Sequence, residues 1–419
     1  MKPLITMVLT ALLVACSSAP KYAHERAVEA SQLDAFMQDK PPQYRPYFEV
    51  YLRQGARNSV LNEMRIGLLA MQNGDLDLAA WLFDRAINKI ETIYADNKTA
   101  KKARSKFKKE ALKDFKGEPY ERAMVYFYRG LIYLHHDDYE NARASMLGGL
   151  LHDSMAEEQT YEQDFASHFY LAGWASQCNN NPSQADDYFS QAEALNASLR
   201  RPVNGENLLV LATSGRGPAK FRKGKYNEMM AFDTSSIESA AGLRRPILQL
   251  NGDNRHFATA ENIHWQATTR GGRTIDVINQ GKAVFKENTN QMGSALTDTG
   301  AALMNTGLSR NNRNLGNAGA VMALFGLVSK GVSRATKPTA DIRYWDNLPA
   351  FVYLQAHDKA AIQQAAVQFH FVDAQQQNPW DMTSTFLHQA QQGIESDGSC
   401  DVLYIHSEPG YLNLRHINQ

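Results

Sequence analysis

Four groups of residues in this chain have types and spacings that could do chemistry. Gly215-Arg216-Gly217 is followed by Lys220, Arg222, Lys223 and Lys225. A glycine turn can present main-chain amides, and cations beside it would complement an anion. It is not a P-loop, because the Gly-Lys-Ser/Thr end is missing and Pro218 follows Gly217. The plain alternative is a strand-ending turn with exposed lysines. His135-His136-Asp137-Asp138 offers metal-ligand types. Neighbours on a helix point different ways, however, and seldom share one ion. Asp341 and Arg343 could present an acid and a cation to a substrate. They could equally pair with each other or with a buried strand end, with Trp345 as a packing anchor. Cys178 and Cys400 could form a disulfide in an oxidising compartment, or pack separately as buried thiols. The chain has no Gly-x-Ser-x-Gly elbow and no His-Glu-x-x-His. Nothing in it calls for a cofactor or a resident metal.

Two kinds of element must position these groups. From 33 to 200 the apolar spacing is helical. Three segments align on Gly67, Gly130 and Gly173; twelve residues later stand Ala79, Ala142 and Ala185. Phe83, Met146 and Phe189 follow four positions on, and Ala86, Gly149 and Ala192 three further. Asn73-Gly74-Asp75, Asp137-Asp138 and Asn179-Asn180-Asn181-Pro182 supply polar turns. Small residues let paired helix axes approach, and a large apolar residue packs behind them. The pattern resembles the tetratricopeptide (TPR) repeat over about 60–195. The resemblance implies helical hairpins and, by association, a protein-binding face. The glycines are 63 and 43 residues apart, against 34 for a plain repeat. The first excess falls around Asp96–Gly117, which is rich in lysine. It reads as a solvated helix extension, or as a dock for an anionic surface.

After Pro202 the pattern becomes mixed. Strands are expected at Asn207–Thr213, Pro246–Leu250, Ile263–Thr269, Ala350–Gln355, Val367–Val372 and Val402–His406. Helical stretches lie between them, within about 274–335. The expected fold is α+β: a TPR-like all-α array over 33–200, then a small mixed sheet domain over 203–419 with a helical insertion.

The N-terminus gives a location. Lys2 precedes a short apolar run that ends Leu13-Val14-Ala15-Cys16. The run is too short to span a bilayer, where about 20 apolar residues are needed, and reads as a secretory signal. Its end resembles a bacterial lipobox. The resemblance implies cleavage after residue 15 and acylation of Cys16; Ser17 in place of Asp implies the outer membrane. Residues 16–32 would then be a lipidated tether. Loss of Lys2 would leave 44 − 1 = 43 basic residues against 44 acidic ones. No bulk electrostatic partner follows, and nucleic acid is not expected.

Two further stretches resemble a family of Gram-negative outer-membrane lipoproteins with N-terminal TPR-like repeats. One is Gly215-Arg216-Gly217-Pro218-Ala219-Lys220. The other runs from Asp341 through Arg343, Trp345 and Leu348 to Pro349. The resemblance implies location and build but transfers no activity. The expected function is a lipid-anchored interaction or assembly module facing the periplasm, with an envelope protein as partner. Its C-terminal half would either seal the array or bind a second partner. The alternatives are a binder of peptidoglycan or another envelope glycan, and a periplasmic enzyme with a site near Asp341 and Arg343.

Overall fold

The computed structural model describes residues 25–95, 114–154, 164–203, 205–225, 227, 229–233, 244–268, 340–373, 379–393 and 400–407. The Cys16 lipobox, residues 96–113 of the lysine-rich stretch and the helical insertion expected within 274–335 lie outside them.

Helices fill the first half: α1 (Ala30–Met37), α2 (Arg45–Gln54), α3 (Ser59–Gln72), α4 (Leu76–Ala95), α5 (Pro119–His135), α6 (Tyr139–Asp153), α7 (Ala166–Cys178) and α8 (Pro182–Leu195). The first of these begins inside the stretch expected to be tether. From α3 onward they pack as antiparallel pairs, α3 with α4, α5 with α6 and α7 with α8. The three pairs share one turn chemistry. Asp75, Asp138 and Asn181 each donate a main-chain N–H back to Ala70, Tyr133 and Ser176, at 2.9, 3.0 and 2.9 Å. Each of the three then caps the following helix: Leu78, Asn141 and Gln184 donate N–H to its side chain at 3.4, 3.2 and 3.3 Å. This closes one helix and opens the next within a few residues, satisfying end groups of both.

The aligned glycines explain the close pairing. A Cβ on Gly67 would lie 2.8 Å from Phe83, and one on Gly173 2.8 Å from Phe189. On Gly130 it would collide with the end of Met146. Ala79, Ala142 and Ala185 are buried on the facing helices.

The second half adds β1 (Leu208–Ser214), β2 (Ala219–Lys223), β3 (Met229–Asp233), β4 (Arg245–Leu250), β5 (Asp253–His256), β6 (Ala258–Asn262), α9 (Ile263–Thr268), β7 (Phe351–His357), α10 (Lys359–Gln364), β8 (Val367–Val372), β9 (Trp380–Asp381), α11 (Thr383–Gly393) and β10 (Asp401–His406). The fold is therefore mixed α+β. Three sheets stand among the described residues where one small sheet was expected. The central sheet has the order β10-β1-β7-β6, a second has β5-β4-β8-β9, and β2–β3 form a ribbon. The β1–β10 pair is parallel and the other pairs of the central sheet are antiparallel. Its β1 is buried along its whole length. Leu209 and Leu211 join the core shared with the helices, while Leu208, Val210 and Ala212 join the core beneath the second sheet. The central sheet is thus the middle of three layers, which is why β1 reads as an unbroken apolar run.

One expected strand is corrected. Ile263–Thr269 does not extend as a strand: β6 ends at Asn262 and α9 runs over Ile263–Thr268. Asn262 Oδ1 accepts the Trp265 N–H at 3.1 Å and starts a helical turn. Ile263, His264 and Ala267 are buried while Trp265 is exposed, a helical spacing that the β-branched and aromatic residues concealed.

Candidate functional site

The two motif stretches meet in space, and they meet on the helical array. Gly217 donates its N–H to the Leu348 carbonyl at 2.7 Å. A Cβ on Gly217 would stand 2.9 Å from that oxygen and 3.1 Å from the Pro349 carbonyl. Only glycine leaves room for this main-chain approach. Gly215, with φ +72°, makes the preceding bend after β1. Pro218 then leads into β2, which carries Lys220 inward.

Glu121, in the first turn of α5, is the hub. Pro119 opens that helix, and Glu118 and Glu121 form a reciprocal capping box. Glu121 Oε2 accepts from the Glu118 N–H at 2.8 Å and from Lys220 Nζ at 2.9 Å. Its Oε1 accepts the Trp345 N–H at 2.7 Å. Lys220 Nζ also donates to the Arg343 carbonyl at 3.1 Å and lies 3.5 Å from Glu118. Both Glu121 oxygens are thus satisfied inside the protein.

Asp341 and Arg343 pair with each other at 2.5 Å. Arg343 also donates to Asn58 Oδ1 at 2.7 Å and to the Arg57 carbonyl at 3.1 Å. Burial disfavours the charge on Asp341, but the Arg343 hydrogen bonds and positive charge outweigh it and hold the carboxyl below the usual aspartate value. Arg57 is lowered to about 10, by burial first and by the like charge of Arg343 second. It remains a cation at neutral pH.

The rest of the segment continues along the array. Trp345 is buried with its ring 6.4 Å from Phe83 and 5.8 Å from Tyr128. Arg65 of α3 donates to Asp346 Oδ1 at 2.6 Å and to the Tyr344 carbonyl at 3.0 Å. Asn347 donates back to the Arg65 carbonyl at 3.1 Å. Residues 343–347 therefore lie against the helices as an irregular segment that turns at Asp346 and Asn347 and is read partly through its main chain. The sequence reading missed Glu121, Arg65 and Asn58. The Glu118/Glu121 capping box is a local signal of a helix start that the sequence reading did not use, and nothing local points to its link with Lys220.

The other sites fall elsewhere. His135 ends α5, and His136 to Asp138 form the turn into α6. No group of three or more His, Cys, Asp and Glu placed to hold a metal ion occurs among the described residues. Arg222 of the basic run donates to the Ala340 carbonyl at 3.2 Å. Cys178, at the end of α7, is disulfide-bonded to Cys400, just before β10, with Cα atoms 5.6 Å apart.

No family model, curated protein or solved structure matches the chain.

Proposed function

We propose that this is a lipid-anchored cell-envelope protein serving as an interaction or assembly module, in which TPR-like hairpins and the α+β half act as one body. The observation that carries the reading is the clamp of residues 341–347 on the helices. Three carboxylates (Glu118, Glu121, Asp341) and three cations (Lys220, Arg343, Arg57) gather there. Lys220 with Glu121, and Arg343 with Asn58 and the Arg57 carbonyl, join the two halves. A buried ionic network of this kind is best understood as fixing one docking geometry. It supports the sealed form of the array over one whose inner face awaits a partner. The partner surface would then be the outer faces, where Trp81, Leu147 and Leu151 are exposed. The same network speaks against catalysis by Asp341 and Arg343, because each is engaged by the other.

Anchoring rests on the lipobox ending at Cys16. No helix among the described residues is long and apolar enough to cross a membrane. Membrane fractionation of wild type and Cys16→Ser tests it: the wild type should sediment with membranes and the variant should be released. A variant that stays tightly bound would overturn the anchor. Photocrosslinking from positions 81 and 151 in living cells tests the module. A discrete protein adduct supports it, whereas capture of glycan alone would favour the envelope-glycan alternative.

A further inference from the structure

The outer side of α4 carries an ordered stripe of one aromatic ring and two cations. Trp81, Arg85 and Lys89 are four residues apart and so follow one another along one side of the helix. Trp81 is 47% exposed. The Arg85 guanidinium lies over its ring, 4.8 Å from the centroid. Glu63 of α3, whose side chain is fully buried, holds both cations. Its Oε1 accepts from Arg85 Nε at 2.9 Å and from Lys89 Nζ at 2.6 Å. The Tyr51 hydroxyl of α2 donates to the same oxygen at 3.0 Å and accepts from Arg85 Nη2 at 3.1 Å. Tyr51 is itself stacked on Phe36 of α1, with 6.3 Å between ring centroids.

These contacts fix two long side chains without using all of their donors. Ordering an arginine or a lysine costs rotamer freedom, and here Glu63 and Tyr51 already hold both heads in place. Yet the Arg85 and Lys89 side chains remain 40% and 33% exposed. Arg85 Nη1 takes no partner among the described residues. Lys89 Nζ uses one N–H on Glu63 and keeps the others, an ammonium being a donor several times over. Two cations share one carboxylate, so a positive charge is left at the surface. The acids nearest along α4 are engaged elsewhere. Asp84 is held by Arg129 of α5 at 2.7 and 3.2 Å, and Glu91 accepts from Tyr126 and lies 2.8 Å from His152. Asp77 stands a turn before Trp81, at the end of the stripe away from Lys89.

Resting on the reading of the outer faces as the partner surface, we propose that the Trp81–Arg85–Lys89 stripe receives a short acidic segment of a partner protein. An apolar or aromatic residue of that segment lies on Trp81, and its carboxylates take the remaining donors of Arg85 and Lys89. Charge and shape select this occupant. A carboxylate is an acceptor only and matches both an arginine fork and a lysine head. Tryptophan and arginine are among the residues that most often dominate protein interfaces. Positions 81 and 89 are about 12 Å apart along the helix, a span that about four residues of extended chain cover. An anionic lipid surface is held by a cluster of about 4–8 cations, and one surplus charge falls short of that. A neutral glycan could stack on Trp81 but would leave both cations without a counter-charge.

The test is selection of a displayed random heptapeptide library on the full chain in detergent. Peptides with acidic residues within about four positions of an apolar or aromatic one should be enriched. Synthetic copies should bind Arg85→Gln/Lys89→Gln and Trp81→Ala at least about tenfold more weakly than wild type, the loss expected for a hydrogen bond between charged groups or for a central tryptophan. Trp81→Ala leaves the Glu63 contacts in place and gives the answer even if the double variant does not fold. No enrichment of acidic peptides, or equal binding by wild type and Trp81→Ala, would overturn the proposal. Retention of anionic glycan fragments in place of peptides would overturn it too. Photocrosslinking from position 151, on α6 and outside the stripe, separates this proposal from the reading beneath it. A protein adduct there, with no acidic peptide selected, leaves the interaction module standing and overturns the stripe alone.

Discussion

Lys220 Nζ lies 2.9 Å from Glu121 Oε2, with the two side chains 2% and 0% exposed. They are 99 residues apart in the chain, one on a short ribbon and the other in the first turn of a helix. Removing one partner of such a pair strands the other. Lys220→Met should destabilise the protein by about 3–5 kcal/mol. The double variant Lys220→Met/Glu121→Gln should recover part of that loss, because the fully buried position 121 then carries no charge. Denaturant unfolding of both chains checks this, and equal stability of wild type and Lys220→Met would show the pair to be solvated.

The glycines separate two kinds of crowding. Gly130 abuts the flexible end of Met146, which can swing away. Gly217 abuts two carbonyl oxygens, which cannot. Gly217→Ala should therefore cost more than Gly130→Ala, and Gly130→Leu should overpack by about 1–3 kcal/mol. Thermal unfolding of the three variants gives the ranking. An unchanged melting temperature for Gly130→Leu would mean that this side of α5 is open.

Cys178 and Cys400 close a separation of 222 residues. In the chain-entropy picture a loop of that length contributes roughly 5 kcal/mol, less any strain. Thiol counting on the unfolded, non-reduced chain should find neither cysteine free. Cys400→Ser should lower stability and loosen β10, the edge strand beside β1, as read by faster amide exchange over 401–406. Two free thiols in the wild type would reject the bridge in solution.

Acid should unfold the protein partly through two histidines. Burial lowers His168 and His357 from 6.5 to about 4. The unfolded chain takes up these protons below 6.5, whereas the folded chain resists until about 4, so stability falls as pH falls through that window. At about 1.4 kcal/mol per unit, the loss is at most about 3 kcal/mol for each. His168→Gln should show a shallower decline over the same window. Declines of equal slope would remove His168 from the account.

The clamp shows where sequence reading stops. Asp341 and Arg343 were visible as an acid and a base close enough to pair, because two residues of extended chain bring them together. Asn58, Arg65 and Glu121 were not visible as their neighbours: Arg65 and Glu121 are charged residues in largely apolar helices and Asn58 stands just before α3, with no local sign of what each faces. The misread strand at Ile263–Thr269 has the same origin. Its residue types favour a strand, and the Asn262 cap with burial at helical spacing overrode them.

The sequence by itself determined what depends on neighbours along the chain. It set the helical hairpins, through small residues at fixed offsets and capping residues in each turn, and β1, through its unbroken apolar run. Tertiary structure decided what depends on residues far apart. It brought Gly217 against Leu348, Lys220 against Glu121, and Cys178 to Cys400. It also set Glu261 of β6 against Ser167 of α7, because which residues meet across the fold is decided by packing and not by place in the chain.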